Sequence, residues 1–172
     1  MRSLSLTERG PLRRVWGTAA VANLPAHISQ RMTDRARNLL AEAGLKANLQ
    51  ALRVRANGPG AGIFTFLEFQ NGVRAGFTAY GSKGVPAEQV AETVCGDLLR
   101  YHHSGAPVDM RLADQLILPL TMADGASQFT TCRVTEHLRT NLWVVEQFAQ
   151  ARFEVAGNTV TVLPLKKGKH SG

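Results

Sequence analysis

Apolar and polar positions along the chain follow two rhythms, one of strands and one of helices. Residues 2–8 alternate weakly and predict a short strand. Leu12 to Leu24 (LRRVWGTAAVANL) is rich in small and apolar residues and predicts a buried strand, ended by Pro25. From Ala26 to Ala43 the period changes: Ile28, Met32, Ala36, Leu39 and Leu40 fall on one helical face, with Gly44 as C-cap. Leu49 to Ala56 alternates again, and NGPGAG (Asn57 to Gly62) is a loop. Ile63 to Gln70 and Val73 to Tyr80 read as two strands joined by an Asn71-Gly72 hairpin turn. After a loop at Gly81 to Val85, Pro86 opens a helix whose apolar stripe is Ala87, Val90, Ala91, Val94, Leu98 and Tyr101.

His102 to Asp109 (HHSGAPVD) reads as a linker and a domain boundary. Met110 to Met122 follows as a mostly apolar helix that Pro119 should kink or end. Phe129 to Val134 predicts a strand. Thr135 to Gln150 predicts a helix with Leu138, Leu142, Val145 and Ala149 on one face. Arg152 to Val155 and Thr159 to Leu163 predict a closing hairpin, and the basic tail 166–172 is expected to be disordered. The order βαβββα followed by αβαββ implies an α+β or α/β pattern in two layers.

Composition narrows the class. The 172 residues are 44% hydrophobic and 19% charged, enough for a packed core and against disorder over most of the chain. Cys95 and Cys132 lie far apart without a CxxC, against a disulfide scaffold or a zinc ribbon. No apolar run approaches a membrane span of about 18 residues, and the opening MRSLSLTERGPLRR lacks the apolar stretch of a signal peptide. The expectation is a soluble cytoplasmic protein with no membrane partner. Twenty Lys and Arg against thirteen Asp and Glu give a net charge of +7, which points to an anionic partner such as RNA, DNA or nucleotide phosphates.

Two segments carry the chemistry: RLADQLILPL (Arg111 to Leu120) and TEHLRTNLWVVEQF (Thr135 to Phe148). With GTAAVANLP (Gly17 to Pro25), NGPGAGIF (Asn57 to Phe64), RAGFTAYGSKG (Arg74 to Gly84) and RFEV (Arg152 to Val155), they resemble the C-terminal half of the RNA 3'-terminal phosphate cyclase family. The resemblance spans nearly the whole chain apart from its basic tail. It implies a small α/β insert domain at 11–104, flanked by parts of a larger domain. Those parts are a strand at 1–10 and a βαβαββ-type repeat whose remainder is 105–165. It further implies use of ATP and Mg2+ to convert an RNA 3'-phosphate end to a 2',3'-cyclic phosphate, through an AMP adduct on a histidine. That histidine maps to His137. The LADQ segment implies nucleotide contacts from Leu112, Ala113, Asp114 and Gln115. Arg111 stands where the family often has an aromatic residue or His against the adenine, and a guanidinium also stacks on a base.

Elementary chemistry is consistent with that mapping. Thr135 is a natural N-cap, placing His137 in the first helical turn. The positive end of a helix disfavours an imidazolium, and the neutral ring has the lone pair that attack on a phosphorus needs. The same helix end offers N–H groups to a phosphate. Asp114 could fix a tautomer or bind a nucleotide hydroxyl, and Thr140 and Asn141 could hold the loop or reach phosphate oxygens. No protein metal site is expected: His102 and His103 have no partner ligands at metal spacing.

The glycines Gly58, Gly60 and Gly62 lead into a strand rather than a helix, so a Rossmann reading fails. Cys95 reads as core, Cys132 as structural, and Trp143 as core rather than pocket wall. Arg133 and Arg139 flank His137, facing either the RNA end or solvent. Arg13, Arg14, Arg31, Arg35 and Arg37 form either a phosphate track or a solvated face. The rival function is a non-catalytic RNA-binding or assembly module, or an inactive truncated cyclase. The N-terminal half of the family pattern is missing from this chain. An apolar face is therefore expected to be exposed, to be covered by a separate N-terminal half or by self-association.

Overall fold

A computed structural model describes residues 1–165; the tail expected at 166–172 lies outside the described residues. The chain divides into two compact units, Gly10–His103 and a discontinuous unit of Met1–Arg9 with Ser104–Gly172. The architecture is α+β, with one four-stranded sheet in each unit.

The unit Gly10–His103 runs β1 (Leu12–Ala22), α1 (His27–Glu42), β2 (Ala47–Val54), β3 (Gly60–Phe69), β4 (Arg74–Tyr80) and α2 (Ala87–Ser104, its last residue in the other unit). Its sheet has the order β2-β1-β3-β4: β1 pairs parallel with β2 and antiparallel with β3, and β3 pairs antiparallel with β4. Val15, Ala19, Val21, Ile63 and Leu67 point to one face. There they bury Met32, Ala36 and Leu40 of α1 and Val90, Val94 and Leu98 of α2. The helix α1 ends as a Schellman motif: Gly44 sits at φ +75°, Leu45 N–H donates to Leu40 O at 2.8 Å, and Gly44 N–H donates to Ala41 O at 2.9 Å. Helix α2 is joined to α1 by Arg31 on Glu88 and Arg35 on Glu92, spaced one turn apart on each helix. Arg37 pairs with Asp34. Each of these three arginines is thus paired with a carboxylate at the surface.

Several expectations change. The strand β1 is not buried on both sides: Val15, Gly17 and Ala19 face the helices while Arg14 and Trp16 face outward. The hairpin loop is Gln70–Gly72 rather than a two-residue turn. Gly72 N–H donates to Phe69 O, and Gly72 at φ +85° lets Phe69 N–H reach Val73 O. His102 and His103 continue α2 instead of forming a linker. On the outward face Glu68, itself buried, is bonded by Arg14 at 2.5 Å and by Arg13 and Arg74 at 3.4 Å each.

The second unit contributes β5 (Ser5–Leu6), α3 (Met110–Thr121), β6 (Ser127–Thr130), α4 (Glu136–Phe148), β7 (Ala151–Ala156) and β8 (Thr159–Pro164); β5 precedes the first unit in the chain. This is a βαβαββ order with the whole first unit interposed after its first strand. The sheet order is β5-β6-β8-β7, with β5 parallel to β6 and the rest antiparallel. Phe129, Val160 and Val162 meet Ala113, Ile117, Leu120, Leu138 and Leu142 on the helix side. The strand expected over Phe129–Val134 stops at Thr130. Thr131 makes only an isolated bridge to Val108, and its N–H turns to Asn158 O. The strand expected over residues 2–8 shortens to Ser5–Leu6. Pro119 does not end α3, which runs two residues further.

The hydrogen bond from Arg14, with the charges of Arg14, Arg74 and Arg13, holds the Glu68 carboxyl below the usual carboxylate range. A depressed folded pKa stabilises the fold fully above the unfolded value of about 4.3, and the contribution disappears as pH falls through the folded value. Acid unfolding of this unit, followed at Trp16 in a Trp143→Phe protein, is expected to show a shallower pH dependence below the ordinary carboxylate range in Glu68→Gln. A second prediction concerns Gly17, where an added Cβ would lie 2.2 Å from the Phe64 carbonyl oxygen. Gly17→Ala is expected to lower the urea midpoint of the same signal by about 2 kcal/mol or more in stability.

Candidate active site around His137

Helix α4 begins at a built cap. Thr135 is extended at φ −86°, ψ 164°, and its Oγ1 accepts the N–H of Leu138 at 3.1 Å. Glu136 and His137 are the first two helical residues, and both are exposed. Their N–H groups have no acceptor within the helix, so the end carries partial positive charge beside the His137 ring. Glu136, in the same turn, offsets part of it.

Helix α3 is capped by Asp109, whose carboxylate accepts the N–H of Arg111 at 2.8 Å and of Leu112 at 3.1 Å. Arg111, Leu112 and Gln115 are exposed, Asp114 is half-buried, and Ala113 lies wholly in the core. The burial pattern turns three of the LADQ side chains outward and uses Ala113 to seat the helix on the sheet. Pro119 has no N–H, so the Gln115 carbonyl lacks its usual donor four residues on.

Beyond their shared core, a side-chain hydrogen bond joins the two helices. Asn141 Nδ2 donates to both the backbone oxygen and Oδ1 of Asp114, each at 2.8 Å. Both partners are acceptors, which fixes the amide orientation. Asn141 is four residues after His137, on the same helix face and about 6 Å along the axis. The structure therefore holds the LADQ turn one helical turn from the histidine. Asn141 acts as a latch between helices, and Thr140 is exposed. The signal in the sequence was the four-residue spacing from His137; the partner, on another helix, gave none. Asp109 was also missed as a cap, although an Asp before an apolar helical run is its usual mark.

The neighbours are less engaged. Arg133 is exposed, and Arg139 is exposed with its Nε 3.8 Å from Glu136. Trp143 is 64% exposed, so it is not core. Cys132 lies outside any strand, and burial foremost pushes its thiol up, which leaves it a poor nucleophile at neutral pH. Cys95 is buried and pushed up to about 11, as an inert core residue should be. Among the described residues no three His, Cys, Asp or Glu side chains gather as a metal site. No helix among them is long and apolar enough to cross a membrane.

Residues 7–103 match the insert domain of RNA 3'-terminal phosphate cyclase, a range close to the unit Gly10–His103. An RNA 3'-terminal phosphate cyclase from Trichormus variabilis is 49% identical over 152 residues, covering 88% of this chain and 43% of its own. One from Nostoc punctiforme is 49% identical over 164 residues, covering 94% and 47%. One from Caldivirga maquilingensis is 33% identical over 159 residues, covering 90% and 45%. The chain belongs to the RNA 3'-terminal phosphate cyclase family, and it spans somewhat less than half the length of these relatives.

Losing the latch should loosen α3 from α4. Asn141→Ala is expected to cost about 1–3 kcal/mol, because it leaves Asp114 acceptors without their donor. Asn141→Asp is expected to cost more, since it sets a second carboxylate against the first. Urea unfolding followed at Trp143 in a Trp16→Phe protein measures both.

Proposed function

We propose that this chain is the portion of an ATP-dependent RNA 3'-terminal phosphate cyclase that carries the adenylylated histidine, His137. The observation that supports this most is the Asn141 latch, which fixes the Asp114 turn beside the helix end bearing His137. Arg111, Leu112, Asp114 and Gln115 form the nucleotide-facing surface of α3, and Ala113 anchors it from the core. Arg111 covers the base by stacking, and the outward N–H groups of Glu136 and His137 face the phosphates.

In the first step an imidazole nitrogen of His137 attacks the α-phosphorus of ATP. A P–N bond forms, the bond to the bridging oxygen breaks, and pyrophosphate leaves with the electron pair. An oxygen of the RNA 3'-phosphate then displaces the histidine, taking the AMP. The adjacent 2'-hydroxyl finally attacks the RNA phosphorus, loses its proton and expels AMP, closing the 2',3'-cyclic phosphate. Magnesium fits here as a partner of the triphosphate and water, since the described residues offer only scattered carboxylates; it would screen the charge of the leaving pyrophosphate.

These elements of the chain would work beside the family's N-terminal elements, carried in the same polypeptide, in a separate N-terminal half or in a second copy. Leu118 and Met122 of α3 and its C-cap, with Trp143 and Phe148 of α4, are exposed apolar side chains that those N-terminal elements would cover.

The test is adenylylation with α-labelled ATP and magnesium, for the chain alone and with the N-terminal half of the Nostoc punctiforme relative added. Acid-labile label on the wild type and its loss in His137→Ala are expected. Absence of label once the two halves are shown to associate would sink the catalytic reading and leave a non-catalytic RNA-binding module.

A further inference from the structure

The two sheets treat their outward faces differently. In the second unit that face carries Gln128, Thr130, Thr159, Thr161 and Glu154, an ordinary solvated surface with Gln128 donating to Thr161 and Thr130 bonded to Thr159. In the unit Gly10–His103 the equivalent face carries Trp16, Phe64, Phe66 and Tyr80, and no element of that unit covers it. Trp16 is 37% exposed and Tyr80 is 73% exposed.

The rings are laid down on the sheet rather than standing from it. Phe66 lies over Gly76, its cross-strand partner, where a Cβ would meet the ring at 3.0 Å. Tyr80 lies over Gly62, likewise its partner, where a Cβ would meet the ring at 3.2 Å. Trp16 stacks on Phe66 with centroids 4.4 Å apart and planes 18° apart, and Phe64 meets Tyr80 edge-on at 6.1 Å. Charge borders the same face. Arg14 sits 5.8 Å from the Trp16 ring, and the cluster of Arg13, Arg14 and Arg74 around Glu68 sets three guanidiniums against one carboxylate. Two positive charges remain there, held in place by the carboxylate.

We propose that this face is a platform for single-stranded RNA, with bases stacking on Trp16 and Tyr80 and the phosphate backbone running past Arg14 and Arg74. Flat aromatic rings on an open sheet, with arginines at the border, match what unpaired bases and their phosphates require. Charge complementarity favours RNA over a second protein surface: the cluster is cationic and the chain as a whole carries +7. The proposal deepens the function above, on which it rests for the choice of RNA, by naming where RNA away from the reacting end is gripped.

The test uses the 172-residue chain and a fluorescein-labelled U12 RNA ending in a 3'-hydroxyl, which offers no phosphate to cyclise. Anisotropy should report binding that weakens about tenfold in Trp16→Ala and in Tyr80→Ala. Arg74→Ala should flatten the salt dependence by about 0.7 in log–log slope. In Trp143→Phe, where Trp16 is the only tryptophan, RNA should quench the emission, a readout that needs no variant of the face itself. Adenylylation and RNA binding are read separately on the wild type, so failed adenylylation with retained binding defeats the catalytic reading alone. Absence of RNA binding, binding unchanged in both aromatic variants, or no quenching would each overturn the proposal. A dimer that Trp16→Ala dissociates, without RNA binding, would assign the face to a second copy instead.

Discussion

Each sheet in this chain has two helices of its own, and both lie on the same side. That supply of covering helices is the constraint from which the strand patterns follow. A strand that buries one face must alternate, and Val15, Ala19 and Val21 do so against Arg14 and Trp16. Phe129 and Val160 do so against Gln128 and Thr161. Because the helices seat on one side only, their caps and latches, including Thr135, Asp109 and Asn141, gather where two helices meet over a sheet. The candidate site is such a place.

Much of the fold was legible because periodicity survives in short windows. The βαβββα order and the later αβαββ order follow from changes between a period near two and one near 3.6. What escaped was whatever depends on a distant partner. Leu12 to Leu24 looks buried throughout, since small apolar residues suit both a two-sided core strand and a strand with an open face; only the count of covering helices decides. The strand after Ser127 ends early because Thr131 finds its backbone partner at Asn158, beyond the helix that follows. The hairpin at Gln70–Gly72 takes a third residue because Gly72 alone adopts positive φ.

The site was legible as two motifs and illegible as a geometry. His137 behind Thr135 can be read directly as a residue in a capped first turn. Asp114 and Asn141 can each be seen, but not that they meet, because they lie on different helices and no local rule links them. Trp143 shows the reverse failure: its helical spacing suggests core, yet among the described residues it stands 64% exposed.

The parallel pairing of Ser5 with Gln128 and Leu6 with Phe129 encloses the whole of Gly10–His103. In an unfolded chain that closure is a long-range event with a large entropic cost. Within the folded first unit, however, both ends converge on one corner: Gln70 N–H donates to Pro11 O at 3.0 Å, and the Tyr101 ring sits 6.3 Å from that of Phe69. Once that unit has formed, the intervening chain acts as a short, closed connection. Forming the interposed unit first would therefore remove most of the entropic cost of closing the split unit's sheet.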